Sequence, residues 1–258
     1  MEVIICPDDE QVGQVAADRV VAQLAGKEEP VLGLATGSSP TSLYQELARR
    51  VAAGEIDLAR AYGFALDEYV GIAPDHPLSY RRTVLEMAVE PLGMDPARVH
   101  VPNGFTTDID EAALEFEHQI RSVGGVDVQI LGIGTNGHLG FNEPTSSLAS
   151  RTRLKTLTWQ TREDNSRFFA DSDQDMPTHC VTQGLGTIME AAACVLVATG
   201  EHKADAVHDM VEGPISAFCP GSILQFHPKA FVVVDEAAAT KLKFDAYYRF
   251  VADNRLVQ

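Results

Sequence analysis

The sequence predicts an α/β fold with a doubly wound, mainly parallel sheet and helices on both faces. Short apolar or β-branched runs recur along the whole chain, and segments with helical spacing of apolar residues lie between them. The 258 residues, of which 45% are hydrophobic, can bury a large core, and no repeat or low-complexity linker divides them. We therefore expect one domain over residues 1–258.

The predicted strands are short apolar runs of the kind that parallel sheets bury. They cover residues 3–5, 31–34, 62–66, 126–130, 194–198 and 231–234. The first helix is expected after a cap at Asp8 or Asp9, and the second after Pro40. Later helices are predicted to begin near Pro77, Asp108 and Glu201, and a last one to cover residues 237–251.

The longest irregular region is predicted at about residues 142–177. It mixes Ser, Thr, Arg and Asp with Trp159, Phe168 and Phe169. A loop of this length inside a compact domain is usually either functional or disordered. The aromatic and basic residues favour a partly ordered lid, which we place at about residues 157–177.

Charge and cysteine content exclude several classes of function. With 20 Lys+Arg against 37 Asp+Glu, the net charge of -17 repels nucleic acid and anionic membranes. An anionic small-molecule ligand would need a local site of backbone N–H groups and a few cations. The four cysteines form no CxxC pair, which fits a reducing compartment. The sequence also shows neither a signal-peptide pattern nor an apolar run of about 18 residues, so we expect a cytoplasmic protein.

The segment VDVQILGIGTNGHLGFNEPTSS, residues 126–147, is the most informative part of the chain. An apolar strand runs there into a Gly-rich loop with Asn136, His138 and Glu143. Ligands of open α/β sheets bind at the carboxyl ends of the strands, so an imidazole there could shuttle a proton while a carboxylate orients it. The alternative is a structural histidine bonded to loop carbonyls. The other histidines show no HExxH or comparable ligand spacing, and no metal site is predicted.

The loop after the strand at 31–34 has the features of a phosphate site. Its polar residues are Thr36, Gly37, Ser38 and Ser39, with Pro40 at the expected first helical position. Glycine allows close backbone approach, and the N-terminus of a helix presents unpaired N–H groups to an anion. A plain capped turn is the alternative, and nucleotides are disfavoured because the loop is neither a P-loop nor a GxGxxG motif.

Further charged residues follow other predicted strands. Asp67 and Glu68 come directly after the strand at 62–66, where Asp67 is the better candidate for a general base, although such a pair is often a cap or a solvated turn. Arg167 in the predicted lid and Lys203 after the strand at 194–198 can supply cations for an anionic ligand. Each of these two would otherwise be an ordinary surface charge. No GxSxG elbow supports serine-hydrolase chemistry.

Taken together, these residues resemble the glucosamine-6-phosphate deaminase family. The similarity covers nearly the whole chain and lies in the blocks ATGSSPTSLY, LDEYVGI, GIGTNGHLGFNEP, SSLASRTRLKTLT, REDNSRFF and LQFHPKA. The related 6-phosphogluconolactonases share the fold and a similar phosphate loop, but not the pairing of LDEYVG with GHxxFNEP. The resemblance implies conversion of glucosamine 6-phosphate and water into fructose 6-phosphate and ammonium, without a metal or organic cofactor.

The resemblance also implies roles for the candidate residues. Asp67 would transfer a proton from carbon 2 to carbon 1 of the opened sugar, and His138 would open the ring with Glu143 and Asn136 as its orienting partners. The phosphate would be held by Thr36, Gly37, Ser38, Ser39, Arg167 and Lys203. The chemistry agrees with these roles, because abstraction of a carbon-bound proton needs a base separate from the group that opens the ring.

Two departures from the family pattern bear on mechanism and regulation. Many members have Asp at the position of Asn136, and a neutral amide cannot ionise. Some members are hexamers activated by N-acetylglucosamine 6-phosphate at a subunit interface, and the matching residues here are Ser146, Arg153, Lys155 and Thr156. The C-terminal tyrosine of that site aligns with Arg249. A homo-oligomer is expected, although the motifs do not decide between a hexamer and a monomer.

Two other functions stay open on the sequence alone. One is a sugar-phosphate lactonase on the same fold, which the residues following Asp67 disfavour. The other is a non-catalytic sugar-phosphate sensor, with Asn136 as a sign of lost turnover. A sensor would not need Asp67, His138 and Glu143 together, and it would bind its ligand without releasing ammonium.

Overall fold

Parallel strands form the central sheet of the structure, a computed structural model that describes residues 1–170, 172 and 174–255. The described strands are β1 (Glu2–Cys6), β2 (Val31–Leu34), β3 (Tyr62–Ala65), β4 (Asp67–Tyr69), β5 (Val99–His100), β6 (Val128–Leu131), β7 (Arg153–Thr156), β8 (His179–Thr182), β9 (Cys194–Ala198) and β10 (Ala230–Asp235). The central sheet has the order β1-β10-β9-β6-β2-β3-β5, and its pairings are parallel. Every residue of β2, β6 and β9 is buried, as expected of strands covered on both faces.

Helices connect these strands. The described α-helices are α1 (Asp9–Leu24), α2 (Thr41–Ala52), α3 (Tyr80–Val84), α4 (Ile109–Ser122), α5 (Trp159–Ser166), α6 (Leu185–Met189), α7 (Ala204–Val211) and α8 (Asp245–Asp253). The carboxylate of Asp8 accepts a hydrogen bond from the Gln11 N–H and caps α1, so the prediction of a cap at Asp8 is confirmed. Asp108 caps α4 in the same way, through the Glu111 N–H.

The strand order reverses beside β2. From β2 the chain continues to β3 and β5, and then returns to β6 on the other side of β2 before it moves on to β9 and β10. Right-handed crossovers that run in opposite directions place their helices on opposite faces of a sheet. The predicted doubly wound fold is therefore confirmed, and β2 and β6 flank the switch point at which such sheets bind ligands.

A second, antiparallel sheet of β4, β8 and β7 lies outside the predicted elements. Only Leu66 separates β3 from β4, so the chain passes from one sheet to the other directly before Asp67. Asp67 lies opposite Thr182 of β8 in the register. These strands carry polar residues, and β7 alternates half-buried and exposed positions. Hydrophobicity alone therefore gave no signal for this sheet.

Two of the predicted segments are wrong in part. Residues 142–177 are not irregular throughout, because they contain β7 and α5. The last helix begins at Asp245 rather than at 237, because the Asp235 carboxylate accepts a hydrogen bond of 2.7 Å from the Ala238 N–H and holds the chain in a turn. By contrast, the strands predicted at 31–34 and 194–198 coincide with β2 and β9.

The one-domain organisation and the lid stay predictions. Residues 171 and 173 of the predicted lid, and residues 256–258 of the predicted domain, lie outside the described residues. Within the described part of the chain, no helix combines the length and the apolar content needed to cross a membrane.

Candidate active site

A cavity of about 400 Å³ opens at the carboxyl ends of β2 and β6, at the switch point of the sheet. Its walls come from the loops after both strands, from the start of β4, from α5 and the residues after it, and from the turn before α7. The predicted site residues that line it are Thr36, Gly37, Ser38, Ser39, Asp67, His138, Arg167 and Lys203. Asn136 and Glu143 lie behind His138 and contact it.

Asp67 presents a buried carboxylate to this cavity. Its exposed fraction is 4%. The Phe141 N–H, which donates to Thr182 Oγ1 at 3.1 Å, also acts on this carboxylate. Burial raises the pKa of Asp67 to about 8, the neighbouring Glu68 charge adds to the rise, and the nearby Phe141 N–H opposes it. A carboxyl group with such a pKa exchanges protons near neutral pH, as a general base must.

Glu68 has a different, structural environment. Its carboxylate accepts hydrogen bonds from the N–H groups of Tyr69, Tyr80 and Arg81, at 2.8, 3.0 and 2.9 Å. It thereby holds the start of α3 against β4. Of the two neighbouring acids, Asp67 faces the cavity and Glu68 does not.

His138 lies in a relay with Glu143 and Asn136. The Asn136 Nδ2 donates to Glu143 Oε2 at 2.9 Å, and the same oxygen lies 3.5 Å from His138 Nδ1. That second distance is longer than a usual hydrogen bond, so in this geometry the His138–Glu143 interaction is mainly electrostatic. The Asn136 Oδ1 accepts the His138 N–H at 3.2 Å, which fixes the loop around the imidazole.

Glu143 is the buried anion of the relay, with an exposed fraction of 1%. Burial alone would raise its pKa, but interactions with His138 and hydrogen bonds from Thr161 and Thr158 outweigh burial and lower the pKa to about 2. Its Oε1 accepts from the N–H and the hydroxyl of Thr158 at 3.1 and 3.2 Å. Glu143 is thus ionised and oriented throughout the neutral pH range.

Glycine is required where the loop folds onto itself. A Cβ atom at Gly134 would lie 2.3 Å from His138 Cε1, and a Cβ at Gly140 would lie 3.2 Å from Asp67 Oδ2. The first contact is impossible and the second is tight. The Gly-rich composition of the loop therefore lets the imidazole and the candidate base approach the backbone.

The loop after β2 has the geometry of an anion site. Gly37 has a φ of +93°, and the hydroxyls of Ser38 and Ser39 line the cavity with it. Pro40 is the N-cap of α2 rather than its first residue, and no side chain caps this helix. The N-terminus of α2 therefore offers N–H groups and a partial positive charge to a ligand.

Lys203 and Arg167 bring positive charge to the same cavity. Lys203 Nζ donates to the carbonyl of Ile133 at 2.8 Å, and burial lowers its pKa, an effect that Asp164 partly offsets. The Arg167 guanidinium is exposed and lies over the Phe168 ring, 4.8 Å from its centre. The two cations are thus supplied by separate segments on the rim of the cavity.

The four residues of the predicted allosteric site do not line this cavity. Ser146 is buried, and its hydroxyl has no hydrogen-bond partner among the described residues. Arg153 Nη1 donates to Asn142 Oδ1 at 3.0 Å, and Lys155 shares its face of β7. Thr156 is exposed on the opposite face, so the strand does not bring all four together, and the allosteric role stays a prediction.

The described part of the chain contains no cluster of metal-binding side chains. No three or more His, Cys, Asp or Glu side chains are grouped there in a way that could hold an ion. The cysteines are free thiols, with Cys6, Cys180 and Cys194 buried and Cys219 half-buried.

Comparisons with known proteins agree with this geometry. The family described as glucosamine-6-phosphate isomerases/6-phosphogluconolactonase matches residues 7–234. A glucosamine-6-phosphate deaminase of Pseudarthrobacter chlorophenolicus is 54% identical over 255 residues, which cover 99% of this chain and 98% of the relative. The glucosamine-6-phosphate deaminase of Cutibacterium acnes is 53% identical over 255 residues, with 99% and 97% covered. The chain belongs to the glucosamine-6-phosphate deaminase family.

Solved structures extend the likeness to the backbone. A monomeric glucosamine-6-phosphate deaminase superposes with a TM-score of 0.89 at 36% identity, over 93% of this chain and 100% of that one. The 6-phosphogluconolactonase from Leishmania guyanensis has a TM-score of 0.73 at 18% identity, over 93% and 98% of the two chains. At that identity the second match concerns the fold alone.

Several residues of the cavity were not predicted as part of the deaminase-family site. They are Tyr80, Thr135, Thr161, Asp164, Asn165, Phe168 and His202. Thr158 was missed as well, although a threonine that precedes a helical segment is a recognisable N-cap, and it caps α5 through the Thr161 N–H. Nothing in the local sequence of Tyr80 indicated its position, because the packing of α3 against β4 is a tertiary contact.

Proposed function

We propose that this chain is a glucosamine-6-phosphate deaminase that converts D-glucosamine 6-phosphate and water into D-fructose 6-phosphate and ammonium. The observation on which the proposal rests is the cavity itself. It combines Asp67, a buried carboxylate, with His138 of a separate relay. The names of the relatives in the comparisons support the same activity.

Substrate binding begins at the phosphate. The loop of Thr36 to Ser39 and the N-terminus of α2 provide N–H and hydroxyl donors, and Lys203 and Arg167 provide the charge. This anchors the end of the sugar remote from the reacting carbons. Binding energy obtained there can position carbons 1 and 2 at Asp67 and His138.

The chemistry then proceeds in two proton-transfer stages. His138, oriented by Glu143 and Asn136, moves a proton between the ring oxygen and the carbon 1 hydroxyl, which opens the ring to the aldehyde. Asp67 removes the proton from carbon 2 and delivers it to carbon 1. The amine loses a proton and the carbon 1 oxygen gains one, so that carbon 1 becomes a CH2OH group and carbon 2 an imine. Water adds to this imine, and ammonia leaves with the ketone at carbon 2. The atoms balance as substrate plus water to fructose 6-phosphate plus ammonium.

The first test is the release of ammonium and fructose 6-phosphate by the wild type and by Asp67→Asn, without added metal. We expect equimolar release by the wild type and a loss of about 10²–10⁴-fold in kcat for the variant, the usual contribution of a general base. Asp110→Asn, a change of the same kind on the exposed start of α4, serves as the matched control. Binding without ammonium release would point to a sensor, and hydrolysis of a sugar lactone insensitive to Asp67 would point to a lactonase.

We further propose that the protein is cytoplasmic and forms a homo-oligomer. The free thiols support a reducing compartment. The exposed aromatic side chains of α8 support self-association, since Tyr247 and Phe250 are 61% and 63% exposed. Light scattering on the purified protein measures the mass of the particle in solution. The mass of a single chain would refute the homo-oligomer.

Allosteric activation by N-acetylglucosamine 6-phosphate is the least supported part of the proposal. Buried Ser146, with its unpartnered hydroxyl, is the only structural observation from the described residues that favours it. Rate curves measured with and without this effector test it. A hyperbolic curve that the effector leaves unchanged would remove the proposal.

A further inference from the structure

Thr182 lies beside the candidate base, on the strand that pairs with it. It is fully buried, and it lies opposite Asp67 in the antiparallel register of β8 and β4. A Cβ atom built on Gly140 would lie 3.1 Å from Thr182 Oγ1 and 3.2 Å from Asp67 Oδ2. The hydroxyl and the carboxylate therefore both flank the same point of the Gly140–Phe141 backbone.

The Thr182 hydroxyl takes part in two hydrogen bonds. Their donors are the Phe141 N–H and the hydroxyl's own O–H, and both lie near the Asp67 carboxylate. Thr182 Oγ1 accepts the Phe141 N–H at 3.1 Å and donates its own proton to the Gln183 carbonyl at 3.2 Å. The same Phe141 N–H also acts as a hydrogen-bond donor to Asp67 and opposes the rise of its pKa. The hydroxyl proton is thus directed to the Gln183 carbonyl, and the Phe141 N–H is divided between Thr182 and Asp67.

We propose that Thr182 is a positioning residue that competes with Asp67 for the Phe141 N–H and so weakens the hydrogen bond that the carboxylate receives. This rests on the proposed function, in which Asp67 is the general base. An N–H that donates to a carboxylate stabilises its charged form and makes it a weaker base. The hydroxyl therefore acts on the reaction through Asp67, without touching the substrate.

Other titratable groups also surround Asp67. Glu68 and Tyr69 neighbour it on β4, Tyr80 faces it from α3, Cys180 from β8, and His138 lines the same cavity. Each of these groups keeps its chemical identity when the hydroxyl of Thr182 is removed. A shift in the pKa of Asp67 in such a variant would therefore indicate that the hydrogen bonding of the Phe141 N–H has changed.

The test compares the dependence of kcat/KM on pH for the wild type, Thr182→Val and Thr182→Ser. In the valine variant the Phe141 N–H loses its Thr182 acceptor, and its hydrogen bond to the Asp67 carboxylate should strengthen. We expect the acidic limb to move down by about one pH unit, with kcat lowered about three- to tenfold. The serine variant retains a hydroxyl, and its acidic limb should stay at the wild-type position.

A structural role alone gives a different result, namely a lower kcat in the valine variant with the acidic limb unmoved, and that result overturns the proposal. Thr182→Ala removes the hydroxyl without a new methyl group in its place, and it provides the same readout if the valine variant does not fold. Asp67→Asn, measured in parallel, distinguishes a failure of the proposed function from a failure of the role proposed for Thr182. A wild type without ammonium release refutes the proposed function, whereas an active wild type, an inactive Asp67→Asn and an unmoved acidic limb refute the role of Thr182 alone.

Discussion

Asn136 shows how a neutral amide can link the two other members of the His138 relay. It is a donor and an acceptor at once, because its Nδ2 binds Glu143 and its Oδ1 accepts the His138 N–H. A carboxylate at this position would place a second negative charge within hydrogen-bond distance of Glu143. The amide therefore allows Glu143 to remain ionised with a low pKa.

Asn136→Asp should move the pH limb that reports the His138 relay to higher pH, by about one unit or more. A new negative charge raises the pKa of each neighbouring group, and two adjacent carboxylates cannot both ionise freely. The kcat/KM profile of the variant beside the wild type measures the change. Asn136→Ala removes the hydrogen bonds without adding charge, and it should lower kcat without an upward shift. An unchanged profile in Asn136→Asp would show that this position does not affect the ionisation of the relay.

The wild-type profile itself should carry the signature of Asp67. Because burial raises the pKa of this base to about 8, the group is protonated and inactive below that pH. We expect kcat/KM to fall towards tenfold per pH unit on the acidic side of about pH 8. Ionisations of the substrate, titrated separately, are subtracted from the profile. An acidic limb in the ordinary carboxyl range, near pH 4, would contradict this assignment.

At the scale of elements, α5 connects the predicted lid, of which it is a part, to the loop that carries Asn136 and His138. Asp164 of this helix accepts a hydrogen bond of 3.1 Å from the hydroxyl of Thr135, which directly precedes Asn136. Asn165 donates to the Tyr69 hydroxyl at 3.2 Å. Asp164 also lines the same cavity as Lys203 and Arg167, so a negative charge lies among the cations expected to bind phosphate.

Asp164→Asn should lower KM for the sugar phosphate about two- to fivefold. The amide oxygen can still accept from Thr135, while the charge that repels the phosphate dianion is gone. Glu163→Gln makes the same change of net charge on an adjacent exposed residue that does not line the cavity, and it should leave KM unchanged. Equal effects of the two substitutions would mean that only the overall charge matters. Added salt should reduce the difference between Asp164→Asn and the wild type.

The elements also show how far the sequence could predict this structure. The buried strands β2 and β9 and the cap of α1 were predicted because continuous hydrophobicity and capping chemistry are local properties. The sheet of β4, β8 and β7 was not, because its strands are short and partly polar and obtain their partners from distant parts of the chain. The same reason explains the missed residues Thr182 and Asp164, whose importance depends on pairing and proximity rather than on any local pattern.

At the scale of the whole molecule, strong overall acidity coexists with the proposed site for an anion. The net charge of -17 repels phosphate in general, and Lys203 and the N-terminus of α2 counter it only locally. The switch point of the sheet makes this concentration of positive potential possible, because several loops end at one edge.

Fructose 6-phosphate should stabilise the folded protein against heat, and Lys203→Ala should lose most of that effect. At about 100 times Kd a ligand stabilises by about 2.7 kcal/mol, which corresponds to about 5–10 °C for a chain of this length. Thermal unfolding with and without the sugar phosphate measures the shift. Lys229→Ala, at an exposed lysine outside the cavity, is the control and should retain the full rise. A full rise in Lys203→Ala would exclude this residue from phosphate binding.

The single residue between β3 and β4 has a consequence for how such enzymes diversify. Asp67 belongs to the antiparallel sheet, whereas the phosphate loop and the His138 loop follow strands of the parallel sheet. The proposed base and the proposed phosphate loop are therefore built on separate sheets. A descendant can replace or reorient the reactive group by remodelling three short strands while it inherits the old recognition of phosphate intact. The same backbone can in this way carry a different reactive group beside an unchanged phosphate loop.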